Sequence, residues 1–575
     1  MRFLPRWHRA SGVYLTVLAV AAAVRLILFF SFLSSPVRYF SYIAGLDMKT
    51  ILDLGVMFRQ GEAAFSIDRL VSMLTYVLGG NRIWPEGFVV IQMALGCGTA
   101  LCITYTILHL TGKRIAACVG GILAACYVPC LVYELITLRE SIHLFFAAMA
   151  LALTLAARRG GTPTWLRLLS GAAIILPAYL RFSSIIWVPA ALLWLALCLR
   201  KKRLGWRGIV RHLSPVVLGA GIAVAVAGGI NRCNSGEWQW FAISSGHASL
   251  VTAIASRENL TEVNPETLSV PGQRKYWNMV ARIPRHCFDL VKPFEISNNI
   301  NYYFVKPLFP ILKYLPGSLL VIPLATTGLL LLLFRGGWHK KESVVFFYFA
   351  AYALPLILYV PLSRYRLILL PAFCLGLAYL ARLALKLYFE RNLRGRLALA
   401  GVMMLALMVF IITAPKSFPV RVADYTTLGK AMEIRDRKIT PGVVECYRNA
   451  WQLDPESIPA AYNLGRVLLM YGNTQDAAVV LAPAWKRHPD NFSITIYYAN
   501  ALSGNGRPGE ALKALSRLRK PDTDEQKMTF FYTLGECYRL NGDKEKAKQA
   551  YEQALSCARN DAPRRNIQRL IETLR

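Results

Sequence analysis

Residues 359–373 read YVPLSRYRLILLPAF. Two arginines, Arg364 and Arg366, lie between the apolar runs 343–360 and 367–381. A guanidinium beside hydrocarbon is costly unless it is paired or used in function. The stretch therefore predicts two membrane helices with a charged site where they meet.

Composition extends this prediction to the first 415 residues. The chain is 55% hydrophobic, its mean hydropathy is +0.38, and its repeated apolar runs can cross the roughly 30 Å hydrocarbon core of a bilayer. We predict an all-α fold in which a polytopic membrane helix bundle, residues 1–415, is followed by helical repeats. The eleven predicted spans are 13–33, 87–111, 115–133, 141–156, 169–182, 184–198, 213–230, 314–334, 343–360, 367–381 and 397–414.

The distribution of Lys and Arg predicts the orientation of this bundle. With a cytoplasmic N-terminus, the inner connections hold 22 Lys and Arg in 64 residues, and the outer ones hold 17 in 149. Positive charge is enriched on the cytoplasmic side of membrane proteins. We therefore predict a multi-pass protein of the cytoplasmic membrane, with outer loops at 34–86 and 231–313 and with residues 416–575 on the outer, periplasmic side.

The formal charge of +33 follows from the same bias. Basic clusters such as LRKKRLGWRGIVRH, residues 199–212, stand beside apolar spans, where they contact membrane lipids. Nucleic acid is therefore not a predicted partner. The first span follows MRFLPRWHRA, but Arg25 interrupts it and no small-residue cleavage site follows, so we predict a retained helix rather than a signal peptide.

The twelve cysteines show no metal-binding spacing. Seven of them lie in the predicted apolar spans, where a cysteine is most often a small hydrophobic residue. Cys233 and Cys287 share the long outer loop and could form a disulfide in an oxidising compartment, but two cysteines alone support that pairing only weakly.

Beyond residue 415 a 34-residue period replaces the apolar runs. Ala450 and Ala484 are 34 residues apart, and so are Gly465 and Ala499. This is the period of tetratricopeptide repeats, in which small residues let paired helices pack closely. We predict a tetratricopeptide α-solenoid of four units over residues 416–575, with a concave surface for a protein partner. AAYNLGRVLLMYGNTQDAAVVLAPAWKRHPDN, residues 460–491, is the clearest unit.

Ionisable residues gather at the predicted outer ends of the spans. They come from distant segments yet share one side of the membrane, which suggests a site for an anionic, lipid-borne substrate. Arginine suits phosphate because its planar guanidinium donates two parallel hydrogen bonds and stays charged. The residues gathered in this way are Asp47, Asp53, Glu134, Arg139, Glu140, Arg181, Arg364 and Arg366.

The order of these residues resembles the polyprenyl-phosphate-dependent glycosyltransferases of the GT-C fold, the superfamily of the protein O-mannosyltransferases and the aminoarabinose transferase of lipid A. The resemblance covers roughly residues 10–400. It is carried by four segments: YIAGLDMKT with Asp47; LHLTGKRIAACVGGILAACYVPCLVYELITLRES with Glu140; LLSGAAIILPAYLRFSSIIWVP with Arg181; and SRYRLILLPAFCLGLAYL with Arg364 and Arg366.

The resemblance implies sugar transfer from a polyprenyl-phosphate carrier to a protein or glycolipid acceptor outside the cytoplasmic membrane. It makes Asp47 the general base, and Arg364 with Arg366 the residues that bind the phosphate of the leaving group. Glu140 would orient the acceptor or a metal ion, and Arg181 would support the phosphate or pair with an acid.

Two further features qualify this interpretation. The segment EISNN, residues 295–299, also resembles related bacterial sequences and adds Glu295 and Asn299 as candidate substrate-binding residues. The family often has a second acid directly after the first one, where this chain has Met48. The missing second acid argues against a metal site in the first loop. A divalent metal stays open as a cofactor, and no residue is assigned as a metal ligand.

Each assignment has a structural alternative. Asp47 could be a solvated loop residue, Glu140 could sit at the start of the next helix for favourable interaction with its dipole, and the arginines could extend from span ends to headgroups. Arg25 could form an ion pair within the bundle or contact a lipid phosphate. At the level of function, the alternatives are an enzyme of the O-antigen-ligase or oligosaccharyltransferase type and a non-enzymatic membrane-anchored repeat scaffold.

Overall fold

The computed structural model describes residues 5–159, 161–241, 272–297, 300–335, 341–359, 361–413, 419–519 and 521–574. The chain forms two compact units, Met1–Phe418 and Pro419–Arg575. The division lies three residues beyond the predicted boundary at residue 415.

The first unit is built from helices throughout its described residues, as its apolar runs predict. Proline stands in the first turn of several of them, where its missing N–H has no intrahelical partner to lose. Its α-helices are α1 Pro5–Ser34, α2 Asp47–Arg59, α3 Ile67–Leu78, α4 Pro85–Thr111, α5 Arg114–Cys126, α6 Val128–Glu134, α7 Glu140–Ala157, α8 Thr164–Ile175, α9 Trp187–Arg200, α10 Trp206–Ser235, α11 Gly272–Val291, α12 Tyr302–Val305, α13 Ser318–Phe334, α14 Val344–Leu358, α15 Ser363–Arg366, α16 Leu370–Phe389 and α17 Leu393–Thr413.

Seven helical segments in the described part of the chain are long and apolar enough to cross a membrane. An eighth is added if α5 and α6, which bend by 44° at their junction, are taken as one span. Pro129 lies in the first turn of α6 and is incompatible with a continuous helix through this point. The seven segments are Ser11–Ser34, Pro85–Thr111, Glu140–Ala157, Phe182–Arg200, Trp206–Ser235, Lys341–Leu358 and Ser363–Phe389.

Helices also occupy the other predicted spans. Thr164–Tyr179 and Ser318–Phe334 are apolar but shorter than the seven segments above, and α17 covers most of the predicted span 397–414. The first unit is therefore a helical bundle in which several helices could span a membrane. The number of eleven crossings remains a prediction, because a short or bent apolar helix can either cross a bilayer or pack inside the bundle.

Glycine brings several of these helices into backbone contact. On α13, a Cβ at Gly328 would overlap the carbonyl oxygen of Gly376 on α16. On α8, a Cβ at Gly171 would overlap the carbonyl oxygen of Val216 on α10. Small residues at such crossings are typical of membrane helices, which associate by close packing rather than by burial from water.

The disulfide that Cys233 and Cys287 could form is absent from the structure. Both side chains are exposed, and both are free thiols.

The second unit is a row of antiparallel helix pairs, as the 34-residue period predicts. Its small residues lie where the helices of a pair meet: a Cβ at Gly465 would come within 2.6 Å of Leu481, and one at Gly535 within 2.6 Å of Tyr551. Its helices are α18 Val422–Asp436, α19 Pro441–Leu453, α20 Ile458–Met470, α21 Thr474–Arg487, α22 Phe492–Gly504, α23 Pro508–Leu515, α24 Asp524–Leu540, α25 Lys544–Cys557 and α26 Asp561–Thr573.

The contact between α13 and α16 generates a stability prediction. Gly328→Ala should lower the free energy of unfolding by about 1–3 kcal/mol, because the new methyl group meets backbone that cannot rotate away. The matched control is Gly221→Ala on α10, where a Cβ would meet no atom within 4 Å. Thermal unfolding of both variants in detergent measures the difference, and an equal loss in both variants would contradict this account of the crossing.

Candidate functional site

Four of the sequence-predicted site residues lie together in the first unit. Asp47 and Glu140 are the first residues of α2 and α7, where a negative side chain interacts favourably with the helix dipole. Arg181 precedes the short 3₁₀ helix Phe182–Ile186, and Arg364 lies in α15. Segments that are more than 300 residues apart in the chain thus contribute to one charged cluster, which we call the Asp47 cluster.

Ion pairs connect the members of the Asp47 cluster. Arg364 Nη1 donates a hydrogen bond of 2.8 Å to Asp47 Oδ2. The Nε atom of Arg364 lies 3.8 Å from Glu140 Oε1, which also accepts a hydrogen bond from Arg181. Each carboxylate therefore faces at least one guanidinium, and Glu140 lies between two of them.

Tyr365 completes the Asp47 cluster, and the sequence reasoning missed it. Its ring centroid is 4.1 Å from the Arg181 guanidinium carbon and 4.8 Å from that of Arg364. Its hydroxyl accepts a hydrogen bond of 2.9 Å from Arg364 Nη2. The negative face of an aromatic ring attracts cations, so Tyr365 holds the two arginines in place. The signal that could have identified it is an aromatic residue between two arginines in SRYR, residues 363–366.

Exposure differs sharply within the Asp47 cluster. The Glu140 side chain is 2% exposed, whereas the Asp47 side chain is 46% exposed. The Arg364 side chain, which connects them, is 12% exposed. Asp47 is therefore the carboxylate that a ligand can reach, while Glu140 serves as the buried counter-ion of both arginines.

A second ion pair positions the segment that carries Arg181. Arg139 Nε lies 3.5 Å from Asp68 Oδ2, and Arg139 Nη1 donates to the carbonyl oxygen of Leu180 at 3.3 Å. Asp68 is buried in the first turn of α3. Arg139 adjoins Glu140, and Leu180 adjoins Arg181. The contacts of Arg139 therefore hold Glu140 and Arg181 close together. Asp68 was not predicted, because a single aspartate in an amphipathic helix has no distinguishing pattern.

The structure places Arg366 in a different cluster, although it is only two residues from Arg364. Its Nη1 donates to the carbonyl oxygens of Asp289 and Lys292, and its Nη2 donates to that of Phe294 at 2.8 Å. Nη2 also lies 3.0 Å from Glu295 Oε2. Arg366 is 3% exposed, and it fastens the loop after α11 to α15.

Glu295, a predicted substrate-binding residue, is buried with Arg366. Its carboxylate also accepts a hydrogen bond from the Ser318 hydroxyl, and its backbone N–H donates to the Tyr303 hydroxyl at 2.8 Å. Burial raises the pKa of that tyrosine. The cavity beside Glu295 and Arg366 has a volume of about 10 Å³, which is enough for about one water molecule and not for a sugar. Asn299, the remaining predicted residue, lies outside the described residues.

Arg25 forms an ion pair within the bundle, which is one of the two roles that the sequence left open for it. Its Nη2 lies 2.6 Å from Glu134 Oε1, and its Nη1 donates to the carbonyl oxygen of Ala125 at 3.1 Å. Both side chains are buried, and a Cβ at Gly96 would overlap the carboxylate. The pair therefore joins α1 to α6 within the bundle.

A divalent metal, which the sequence left open, is not favoured by the donor groups of the described residues. Among the residues that the structure describes, there is no group of three or more His, Cys, Asp and Glu side chains that could hold a metal ion. Asp47 and Glu140, the two acids of the Asp47 cluster, both face Arg364. These residues do not fit a metal centre.

Comparison with known families identifies the second unit. Two tetratricopeptide-repeat family models match the chain, one over residues 468–528 and the other over residues 529–561. The predicted C-terminal tetratricopeptide repeats are thus confirmed, and such repeats commonly mediate interactions between proteins. No curated protein matches the chain.

The different surroundings of the two arginines generate a prediction. Arg366→Ala should lower the free energy of unfolding by about 3–5 kcal/mol, because it leaves Glu295 as an unpaired buried charge. Arg364→Ala should cost less, because its partner Asp47 is half exposed and water can solvate the freed carboxylate, while buried Glu140 keeps its pair with Arg181. Chemical denaturation in detergent measures both variants. A loss for Arg364→Ala as large as that for Arg366→Ala would contradict the division into two clusters.

Proposed function

We propose that this protein is a membrane glycosyltransferase that moves a sugar from a polyprenyl-phosphate carrier to a protein or glycolipid acceptor on the outer side of the cytoplasmic membrane. The proposal rests on the Asp47 cluster. There the half-exposed carboxylate of Asp47 pairs with Arg364, and Arg364 also contacts Glu140 and Tyr365. A carboxylate base next to phosphate-binding cations is what such a transfer requires.

In the proposed reaction, Asp47 removes the proton from an acceptor hydroxyl. The acceptor oxygen forms a bond to the anomeric carbon while the bond from that carbon to the phosphate oxygen breaks, so the phosphate leaves with the electron pair and configuration inverts. The leaving phosphate gains negative charge, which guanidinium groups stabilise through charge-assisted hydrogen bonds. In a neutral cluster of two acids and two arginines, the arriving phosphate takes over contacts that the carboxylates make in the free protein.

The phosphate contact falls to Arg364 and Arg181 in this proposal, rather than to Arg364 and Arg366 together. Both Nη atoms of Arg366 are already engaged by backbone carbonyl oxygens in a site with space for about one water molecule. Glu295 is its buried partner. We therefore assign Arg366 and Glu295 to holding the loop near the site, which is a positioning role.

The proposed topology rests on the threefold higher density of Lys and Arg in the inner connections. It puts the N-terminus in the cytoplasm and the repeats outside the membrane. The repeats would then hold a protein partner, such as the acceptor or a protein that delivers it, and raise its concentration near the site.

The assignment of Asp47 is tested by replacing one oxygen. Asp47→Asn should lower transfer by roughly 10²-fold or more, because an amide cannot accept the acceptor proton. Asp53→Asn is the matched control: Asp53 lies on the same helix, its side chain is 45% exposed, and it pairs with Lys49 outside the cluster. A strain that lacks the gene is complemented with each variant, and mass spectrometry of envelope proteins and glycolipids quantifies the sugar that deletion removes.

Two outcomes of this experiment contradict the proposal in different ways. If deletion of the gene changes no glycan, the protein is not a transferase, and the repeat scaffold becomes the better account. If deletion removes a sugar but Asp47→Asn restores it fully, the enzyme belongs to the ligase or oligosaccharyltransferase class, which does not need this early acid.

The topology is tested with a reporter fused at two places. Alkaline phosphatase, which is active only outside the cytoplasm, should be active when it is fused after residue 420. The matched control is a fusion after residue 203, in the predicted inner connection 199–212, which should be inactive. The reverse pattern would invert the bundle and place Asp47 on the cytoplasmic side.

A further inference from the structure

Two stacked tryptophans stand at the end of α10. The helix ends at Ser235, and the φ of +78° at the following Gly236 favours glycine and turns the chain away from the helix axis. Trp238 and Trp240 follow, with ring centroids 5.3 Å apart and an interplanar angle of 28°. Each is 50% exposed. Large aromatic side chains that remain half exposed in a stacked pair are typical of binding surfaces.

Contacts with α10 hold the two tryptophans in place. Asn231 on α10 is fully buried, accepts a hydrogen bond from the backbone N–H of Phe65, and donates to the carbonyl oxygen of Gln239. A Cβ at Gly228 would lie 2.9 Å from Trp240 and 3.2 Å from Trp238. The bare glycine surface thus lets both rings pack against the helix. Their exposed faces are presented in a fixed orientation.

An aromatic chain of contacts connects the pair to the Asp47 cluster. Phe241, which directly follows Trp240, stacks on Tyr179 at 4.9 Å and meets Phe182 edge-on at 5.6 Å. Tyr179 and Phe182 flank Arg181 in the chain. Phe182 is itself 49% exposed. The tryptophans and the charged cluster are therefore parts of one continuous region of the first unit.

Polar groups surround the exposed rings. The Arg232 guanidinium carbon lies 5.8 Å from the ring centroid of Trp238. Glu237 and Gln239 alternate with the tryptophans in EWQW, residues 237–240, and Gln239 Nε2 donates to Glu237 Oε2 at 3.1 Å. Flat apolar faces bordered by hydrogen-bonding groups match a pyranose ring, which has one C–H face and hydroxyl groups at its edge.

We propose that Trp238 and Trp240 form a platform that stacks against a pyranose ring of the saccharide handled at the Asp47 cluster. We call these two residues the aromatic platform. The inference rests on the proposed function, because that transfer supplies the saccharide. It adds the place where a sugar ring binds and assigns residues outside the charged cluster to substrate recognition.

Tryptophan is also enriched at the bilayer interface, so the alternative is that the aromatic platform contacts lipid rather than a sugar. α10 provides an internal comparison, because Trp206 at its opposite end is 75% exposed. Trp206 stands in a connection rich in Lys and Arg, with no stacked partner within the described residues. It serves as the matched control for a tryptophan that only contacts lipid.

The experiment uses the full chain in lipid nanodiscs with 5-fluorotryptophan at every tryptophan. The ¹⁹F signals are assigned with Trp238→Phe, Trp240→Phe and Trp206→Phe. Methyl glycosides of glucose, mannose, galactose and N-acetylglucosamine are then added as probes. We expect at least one to shift the Trp238 and Trp240 signals in a saturable manner and to leave Trp206 unshifted.

Removal of one tryptophan ring measures how much that ring contributes to glycoside binding. In Trp238→Ala, the dissociation constant read at the Trp240 signal should rise about tenfold, which corresponds to about 1.4 kcal/mol for one lost aromatic contact. Trp206→Ala should leave that constant unchanged. The proposal is overturned if no probe shifts either signal. It is also overturned if spin-labelled lipid broadens the Trp238 and Trp240 signals as strongly as the Trp206 signal.

The aromatic platform and the proposed function can fail separately. Transfer is measured in Asp47→Asn, and glycoside binding is measured at the tryptophan signals of the unchanged protein. If the platform binds sugar while Asp47→Asn transfers normally, the catalytic assignment fails and the platform stands. If Asp47→Asn abolishes transfer while no glycoside shifts the tryptophan signals, the platform fails and the catalytic assignment stands.

Discussion

The structure of the first unit depends on the pairing of arginine with carboxylate inside an apolar helix bundle. An unpaired charge in such surroundings costs several kcal/mol, so each guanidinium constrains where an acid must lie. Arg25 with Glu134, Arg366 with Glu295, and Arg364 with Asp47 and Glu140 join segments that are distant in the chain. These pairs fix the relative positions of helices whose apolar surfaces alone would pack in many ways.

The three arginines differ in whether they could also bind a ligand. Arg25 and Arg366 are buried with buried partners and with backbone carbonyl oxygens, so their hydrogen-bonding capacity is largely used within the protein. Arg364 instead contacts a half-exposed aspartate and an aromatic ring. An interaction with an exposed partner can be exchanged for one with a ligand at low cost, because water solvates the displaced carboxylate. This difference in burial makes the Asp47 cluster, rather than the other two pairs, the candidate site.

Close helix contact complements the ion pairs. Gly328 against Gly376, and Gly171 against Val216, bring backbones together without side chains between them. The second unit uses small residues in the same way at Gly465 and Gly535, but there the contact recurs with the repeat and each helix pair resembles the next. One unit therefore has many unlike contacts that position the Asp47 cluster, while the other has a repeated contact that creates an extended surface.

The sequence by itself determined the helical class, the helices formed by the apolar runs and the change of architecture near residue 415, because apolar runs and a 34-residue period are local patterns. It did not predict α2, α3 and α11, which lie in the predicted outer loops. It also indicated that Asp47, Glu140, Arg181 and Arg364 belong together, since all four stand at the predicted outer ends of spans. Only the tertiary structure separated Arg364 from Arg366, because residues two apart in a helix face different directions. Only the tertiary structure added Tyr365 and Asp68, whose importance comes from partners distant in the chain. Burial and pairing are properties of the packed bundle, and no local pattern encodes them.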